Sequence, residues 1–305
     1  MVSALSMREQ AGETAAGLLL EDPRVAVVLA EISTEQFRHA MGHDPARAVN
    51  VGIMEQTMVG VAAGFAMEGF LPIVHSITPF LIERPLEQIK LDFGYQGLGG
   101  TFVSVGGSYD YTAEGFTHHS PGDVQAMLTV PGMQVLVPGT ADELDGLFRA
   151  TYSNDHPTYI RPSTVTNAES RGVEVGRLEV IRRGARATVI AVGPMLDRTL
   201  AAVADMDATV LYVTSVAPFD ADGLVRETAD ADDVIAVMPF LAGTMAPAIT
   251  TALSHRIARY GWIGVEPTIL REYGTAADHD RARGLDTAGI RERIARFLEG
   301  SLSLA

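Results

Sequence analysis

The feature that most constrains this fold is a repeated alternation of short, β-branched apolar runs with longer segments of helical pattern. Runs of this kind are typical of parallel strands buried between two layers of helices. The alternation therefore predicts an α/β chain with two doubly wound, mostly parallel sheets. The predicted strands are VAVVLA (25–30), LPIVH (71–75), TFVSV (101–105), MQVLV (133–137), TYIR (158–161), ATVIAVG (187–193), ATVLYVTSV (208–216), DVIAVM (233–238) and WIGV (262–265).

The chain divides into two predicted domains. Its 305 residues exceed the size of one small domain, and chains of this length commonly form domains of about 150 residues each. Residues 166–180 lack apolar periodicity and are rich in polar and glycine residues, which is typical of a linker. We predict a first domain over residues 1–165 and a smaller second α/β domain over residues 181–305.

Two helix starts are predicted from capping residues. In SPGD, Ser120 has the side chain of an N-cap, Pro121 suits the first helical position and Asp123 lies in the first turn. In TADE, Thr140 and Glu143 have the spacing of a capping box. Both segments therefore predict that a helix follows a strand.

Composition and charge exclude several classes of function. A formal charge of −15 disfavours nucleic acid as the main partner, because phosphate binding needs a basic surface. The absence of cysteine excludes disulfides and thiolate sites and is compatible with a reducing cytoplasm. The N-terminal segment does not resemble a signal peptide, and no run approaches the ~20 apolar residues of a membrane span. We expect a soluble, cytoplasmic protein.

Glu55 is the first candidate for chemistry, since it lies inside the apolar stretch NVGIMEQTMVGVAAGFAMEG (50–69). A carboxylate in such surroundings loses hydration unless a partner compensates it. The small residues at 60 and 62–64 predict a helix face that another backbone can approach closely, so we expect a tight domain or subunit contact. Glu55 at such a junction could share a proton with a ligand nitrogen.

Two further segments follow predicted strands. SYDYTAEGFTHHSPGD (108–123) carries the adjacent residues His118 and His119, and Arg161 ends the strand TYIR. Ligand sites of α/β sheets form beyond the carboxyl ends of strands. A planar guanidinium at that edge is suited to binding a phosphate. Adjacent histidines seldom bind one metal ion without further ligands, so we predict no metal site here.

Five motifs in order resemble one family. They are NVGIMEQ, PFLIERPLEQIKLDFGYQ, GFTHHSPGD, PGMQVLVPGTADEL and PTYIRPS, and with them residues 1–165 resemble the pyrimidine-binding domain of transketolases. The remainder resembles the transketolase C-terminal domain. The resemblance covers nearly the whole chain, and it implies that thiamine diphosphate is the cofactor.

The resemblance also implies roles for individual residues. Glu55 matches the glutamate that hydrogen-bonds a pyrimidine nitrogen, promotes the imino tautomer and so activates the thiazolium carbon. Phe80 matches the aromatic residue that stacks on the pyrimidine, and Ile53, in the same motif as Glu55, is expected at the cofactor. His118 matches the histidine near the donor hydroxyls, and Arg161 matches the arginine that binds the sugar phosphate.

Three departures from the family pattern stand out. Glu114 replaces the usual Asp before G-x-T-H, so we expect it at the substrate with altered recognition of hydroxyls. Residues 238–240, Met-Pro-Phe, stand where relatives often have an acidic residue and a histidine. The G-D-G followed by Asn that binds Mg²⁺ and diphosphate is missing, since the only Gly-Asp is at 122–123.

The resemblance therefore implies a beta-type subunit of a split transketolase. It would transfer a two-carbon ketol unit between sugar phosphates or related polyols. A partner chain with the diphosphate-binding domain would hold most of the cofactor and Mg²⁺, in an α2β2 heterotetramer. The alternatives are the beta chain of a 2-oxo acid dehydrogenase, a split deoxyxylulose phosphate synthase-like carboligase, or a non-catalytic assembly subunit.

Overall fold

The computed structural model describes residues 5–228, 232–269, 271 and 273–300. Residues 1–4 and 301–305, the outermost ends of the two predicted domains, lie outside the described residues. The N-terminal segment, which the sequence predicts not to be a signal peptide, is therefore described only from residue 5.

Two sheets carry the described strands. The larger sheet contains β1 (Val25–Leu29), β2 (Ala48–Asn50), β3 (Leu71–Ile77), β4 (Gly100–Val105), β5 (Gln134–Leu136), β6 (Pro157–Ile160) and β10 (Ser215–Ala217). The smaller sheet contains β7 (Glu179–Arg182), β8 (Ala187–Val192), β9 (Ala208–Val213), β11 (Asp233–Leu241) and β12 (Arg259–Val265).

Both sheets are mostly parallel, which confirms the predicted fold class. The larger sheet has the order β10-β5-β6-β4-β3-β1-β2, and the smaller has the order β12-β11-β8-β9-β7. The two exceptions are edge strands, since β10 is antiparallel to β5 and β7 is antiparallel to β9.

Helices connect the strands and cover the sheets. The α-helices are α1 (Met7–Glu21), α2 (Arg38–His43), α3 (Glu55–Met67), α4 (Leu86–Gln88), α5 (Asp123–Met127), α6 (Ala141–Thr151), α7 (Leu196–Ala202), α8 (Ala221–Glu227), α9 (Ala246–Ala252), α10 (Ala276–Arg283) and α11 (Thr287–Leu298). Between β3 and β4 the chain also forms two π-helical segments, Pro79–Glu83 and Ile89–Tyr95.

The hydrophobic core continues from one sheet into the other. Phe102 and Val135 of the larger sheet belong to the same buried cluster as Leu211 and Phe240 of the smaller one. The strand predicted over 208–216 divides here, because β9 joins the smaller sheet and β10 crosses to the edge of the larger sheet. The predicted domain boundaries remain a prediction, since packing alone does not define them.

The two predicted helix starts have different outcomes. Thr140 accepts a hydrogen bond from the Glu143 backbone N–H at 3.2 Å, so the threonine cap is confirmed. The Glu143 half of the predicted capping box is wrong, because its carboxylate accepts from the Tyr212 hydroxyl at 2.6 Å and from the Gly139 backbone N–H at 2.7 Å, not from the N-cap backbone. The Ser120 cap is wrong, because α5 has Gly122 at its N-cap. The backbone of Ser120 pairs with Ser108, and its hydroxyl donates to Glu83.

The small residues of α3 lie on two faces. Ala62 and Ala63 are buried in the core, so they stabilise this chain rather than a contact with another. Gly60 and Gly64 are exposed, and within the described residues no atom lies within 4 Å of the position that a Cβ would occupy at either. Close approach of another backbone is therefore possible only on the glycine face.

Candidate active site

Three of the predicted residues lie at one edge of the larger sheet. Glu55 begins α3 just after β2, Phe80 follows β3, and His118 lies in the loop after β4. These strands are parallel, so their carboxyl ends meet at the same edge. This edge is where open α/β sheets bind ligands.

Glu55 is a buried carboxylate with one charged neighbour. Its residue surface is 3% exposed, and its position in the first turn of α3 is favourable for a negative charge because of the helix dipole. Arg84 donates from Nη1 to Glu55 Oε1 at 2.9 Å, while the Arg84 side chain itself is 45% exposed. The sequence required a partner for Glu55, and Arg84 is that partner.

Phe80 connects this ion pair to His118. The Arg84 Cζ atom lies 3.9 Å from the centroid of the Phe80 ring, which is cation–π geometry. The Phe80 ring also contacts the His118 ring edge-on, with centroids 5.0 Å apart. We call these four residues, Glu55, Arg84, Phe80 and His118, the Glu55 cluster. The structure thus brings together three of the residues predicted from sequence.

The two histidines of the loop separate. The Thr117 hydroxyl lies 3.0 Å from His118 Nδ1, on the side of the Glu55 cluster. His119 is buried, and its ring meets His279 of α10 edge-on with centroids 5.9 Å apart. Burial, together with the nearby His279, lowers the pKa of His119. His119 therefore packs against the C-terminal half of the chain while His118 faces the candidate site.

Ile53 and Glu114 lie at the rim of the site. Ile53 is 72% exposed and precedes Glu55 by two residues. Glu114 is exposed, and among the described residues its carboxylate makes no hydrogen bond or ion pair. The predicted contacts of Ile53 with the cofactor and of Glu114 with the substrate stay predictions.

Arg161 lies in a second, closed ion pair. Its side chain is 1% exposed and its Nε donates to Asp123 Oδ2 at 2.6 Å, while Asp123 is fully buried. The Tyr159 hydroxyl donates to the same oxygen at 2.7 Å, and Arg161 Nη2 donates to Ser108 Oγ at 2.8 Å. Phe240 covers the guanidinium, with 5.7 Å between Cζ and the ring centroid. We call Asp123, Arg161 and Phe240 the Asp123 cluster.

The surroundings of Arg161 give the predicted phosphate contact little support. Burial is the largest single influence and lowers the pKa of Arg161, but Asp123, Tyr159 and Asp110 together outweigh it, so the net pKa is raised. The guanidinium charge is therefore already compensated. The cavity beside it, bordered by Asp110 and Ser163, has a volume of about 30 Å³, room for about one or two water molecules. Phosphate binding by Arg161 stays a prediction that requires this cavity to enlarge.

Residues 238–240, which depart from the family pattern, explain this closure. Met238 and Phe240 are buried, and Phe240 supplies the ring over Arg161. The Ser108 hydroxyl donates to the Pro239 carbonyl. An apolar segment thus seals the Asp123 cluster.

A buried network supports the loop after β4. The His75 Nδ1–H donates to the Val103 carbonyl at 2.7 Å, so Nε2 accepts from the Ser33 hydroxyl at 2.8 Å. Arg8 donates to Ser33 Oγ and, at 3.3 Å, to the Tyr111 hydroxyl. Burial, followed by the charge of Arg8, lowers the pKa of His75 to about 3, which keeps the ring neutral.

Sequence reasoning missed Arg84 and the buried role of Asp123. Arg84 had a detectable signal, since it follows Phe80 by four residues in a helical segment and side chains at that spacing lie on one face. No signal in the sequence marks the buried role of Asp123, because its partner Arg161 is 38 positions away.

The described residues form neither a metal-binding cluster nor a membrane-spanning helix. Within the described part of the chain, no group of three or more His, Cys, Asp or Glu side chains is arranged to hold a metal ion. None of the helices described is long and apolar enough to span a membrane.

Comparisons with known proteins find relatives over most of the chain. The family described as transketolase, pyrimidine binding domain, matches residues 3–165. The chain is 41% identical over 290 residues to an uncharacterised 33.6 kDa protein in the fasciation locus of Rhodococcoides fascians, covering 94% of this chain and 93% of that protein.

A second relative has a named activity. The 6-deoxy-6-sulfo-D-fructose transketolase subunit SqwH of Clostridium sp. (strain MSTE9) is 34% identical over 233 residues, covering 70% of this chain and 71% of the relative. Among solved structures, a split gene transketolase in an inactive beta4 tetramer superposes with a TM-score of 0.84 at 23% identity, covering 97% of this chain and 99% of that chain. At that identity the superposition establishes the fold.

Proposed function

This chain belongs to the transketolase family, and from that premise we propose that it is the C-terminal, beta-type subunit of a split, thiamine diphosphate-dependent transketolase. It would transfer a two-carbon ketol unit between sugar phosphates or related polyols. The observation that carries the proposal is the Glu55 cluster, in which a buried carboxylate, an aromatic face and a histidine meet at the ligand edge of the sheet.

The residues present fit the pyrimidine half of the cofactor. The Arg84 guanidinium is a planar group that lies over Phe80 and donates an N–H to Glu55. A protonated aminopyrimidine is also planar and donates N–H bonds in its plane. The Glu55 cluster therefore already accommodates a group with the shape and donor pattern of that ring.

Each residue then has a distinct task. Glu55 would hold a proton at a ring nitrogen, and its burial at a helix N-terminus makes this interaction strong. Phe80 would fix the plane of the ring by stacking. His118 would donate to hydroxyls of the donor substrate. The chemistry that thiamine diphosphate supplies when bound is an electron sink at the donor carbonyl carbon.

The rim residues and the closed cluster have secondary tasks. We propose that Ile53 covers the edge of the ring and that Glu114 reads substrate hydroxyls, in keeping with their exposed positions. Arg161 is the candidate whose predicted substrate role the geometry supports least, because Asp123 already pairs with it.

The diphosphate half of the site requires a second chain. Asp123, in the only Gly-Asp of the sequence, is buried against Arg161 and so is not free to bind a metal. We therefore propose that Mg²⁺ and the diphosphate are held mainly by an N-terminal transketolase subunit, in an α2β2 heterotetramer. The exposed glycine face of α3 is the part of this chain suited to such a close contact. A cytoplasmic location belongs to the same proposal.

The experiment is a three-way titration. Thiamine diphosphate and Mg²⁺ are added to this chain alone, to the partner carrying the diphosphate-binding domain alone, and to their mixture, while calorimetry and thermal stability are followed. We expect weak binding by either chain and tight, Mg²⁺-dependent binding with ketol transfer by the mixture. Full activity by this chain alone would refute the heteromer, and absence of binding by the mixture would refute the function.

A further inference from the structure

Arg84 has an unusual combination of contacts and exposure. Its guanidinium lies over Phe80 and pairs with the buried Glu55, yet the side chain is 45% exposed. Its backbone is fixed, since its N–H donates to the Pro79 carbonyl at 3.2 Å and its carbonyl accepts from the Gln56 side chain at 3.4 Å. Only the long side chain is therefore free to change position.

Arg84 and the pyrimidine ring require the same two partners. A ring that stacks on Phe80 and donates to Glu55 would take the space now filled by a guanidinium 3.9 Å from the Phe80 centroid. Two planar groups cannot occupy that face at once. From this overlap we propose that Arg84 is a built-in competitor of the cofactor, which holds Glu55 and Phe80 until the pyrimidine ring displaces it and so sets the affinity of the site. The proposal rests on the function proposed above.

Arg84 stabilises the buried Glu55 carboxylate while the cofactor is absent. A carboxylate as buried as Glu55 is costly without a compensating positive charge or donor. Arg84 supplies both before the cofactor binds, so the ligand edge of the sheet stays intact in the free subunit. Because the arginine side chain reaches solvent, its charge regains water when it leaves, and the exchange is reversible.

Affinity for the cofactor tests the proposal. The variants are Arg84→Met, which keeps the apolar stem without charge or donors, and Arg84→Lys, which keeps the charge without the planar group. Each is combined with the partner subunit, and thiamine diphosphate is titrated calorimetrically at saturating Mg²⁺. We expect Arg84→Met to bind about 5- to 30-fold more tightly than wild type, with Arg84→Lys in between.

The control separates this proposal from the proposed function. Phe80→Leu should weaken binding, because the stacking surface is removed while the rest of the cluster remains. If Phe80→Leu weakens binding and Arg84→Met leaves it unchanged or weaker, the competitor proposal is refuted and the function stands. If wild type, Phe80→Leu and Arg84→Met all bind thiamine diphosphate alike, the cofactor does not use this cluster, and both proposals fail.

Discussion

Two clusters in this molecule have the same chemical parts, each with a buried carboxylate, but their arginines differ in exposure. In the Glu55 cluster a carboxylate pairs with Arg84 over Phe80, and in the Asp123 cluster a carboxylate pairs with Arg161 under Phe240. The first pair has an arginine that is 45% exposed, whereas both members of the second are at most 1% exposed.

The burial of the arginine, more than residue type, separates the proposed ligand site from a structural pair. The Asp123 carboxylate also receives Tyr159, and Arg161 is also bound to Ser108, so these partners restrain the pair on several sides. Glu55 relies on one arginine that can leave into solvent. A ligand can replace an arginine that is free to leave its carboxylate, whereas an arginine held on several sides stabilises the fold.

The largest expected effect comes from Glu55→Gln, which keeps volume but removes the carboxylate. We expect turnover of the reconstituted pair to fall by at least about 100-fold with the fold retained, because the neutral amide cannot hold the shared proton. Steady-state ketol transfer and a circular dichroism melt measure the two quantities. Retention of more than about a tenth of wild-type activity, a loss below ~1.4 kcal/mol, would remove Glu55 from the proposed role.

The matched change in the closed cluster should act on stability instead. Arg161→Met leaves the Asp123 charge buried without its partner, so we expect the free energy of unfolding to fall by about 3–5 kcal/mol. Arg84→Met should cost only about 1 kcal/mol, because water can reach Glu55 once the arginine is gone. Urea denaturation of this chain alone measures both.

Steady-state kinetics of the same Arg161→Met variant test the predicted substrate role of Arg161. If folded Arg161→Met raises the Michaelis constant for phosphorylated sugars far more than for unphosphorylated ones, Arg161 binds the phosphate after all. Equal costs in stability for Arg161→Met and Arg84→Met would contradict the contrast between the two clusters.

The aromatic residues of the two clusters should show the same contrast, with Phe240 acting on stability and Phe80 on cofactor binding. Phe240→Leu should lower the free energy of unfolding by about 1 kcal/mol, since Phe240 is fully buried. Phe80→Leu should weaken cofactor binding by about 3- to 10-fold with little loss of stability, because Phe80 is only partly buried. Calorimetric titration and denaturation of both variants check the pair. A reversal of the two effects would exchange the proposed roles.

The smallest expected difference between the two clusters is in how the coupling energy of each ion pair depends on salt. The coupling energy between Glu55 and Arg84, from a double-mutant cycle, should shrink by a few tenths of a kcal/mol between about 0.05 and about 0.5 M NaCl. The coupling between Asp123 and Arg161 should hardly change, because ions do not reach it. Equal salt dependence would mean that the closed cluster admits solvent.

Much of the fold could be predicted from sequence because its strands carry their own signal. Runs such as ATVIAV and DVIAVM became β8 and β11, since buried parallel strands need apolar side chains on both faces. β2 and β7 were missed because they have three and four residues and are only partly buried. Their formation depends on neighbouring strands rather than on local pattern.

The candidate site could be predicted only in part. Glu55, Phe80 and His118 come from separate segments, and their meeting follows from the shared edge of a parallel sheet. The burial of Arg161 could not be read from sequence, because it results from Asp123, Ser108 and Phe240 closing around it. Local motifs identify a residue type, while packing decides whether it reaches solvent.

The crossing strand β10 has a consequence for synthesis of the chain on the ribosome. β5 pairs with β6 on one side and with β10 on the other, so one side of β5 stays unpaired until residue 217 has emerged. An open strand edge invites pairing with other chains. The larger sheet is therefore completed only during synthesis of the second half, and nascent chains that stall before that point would be the ones most exposed to aggregation and to chaperones.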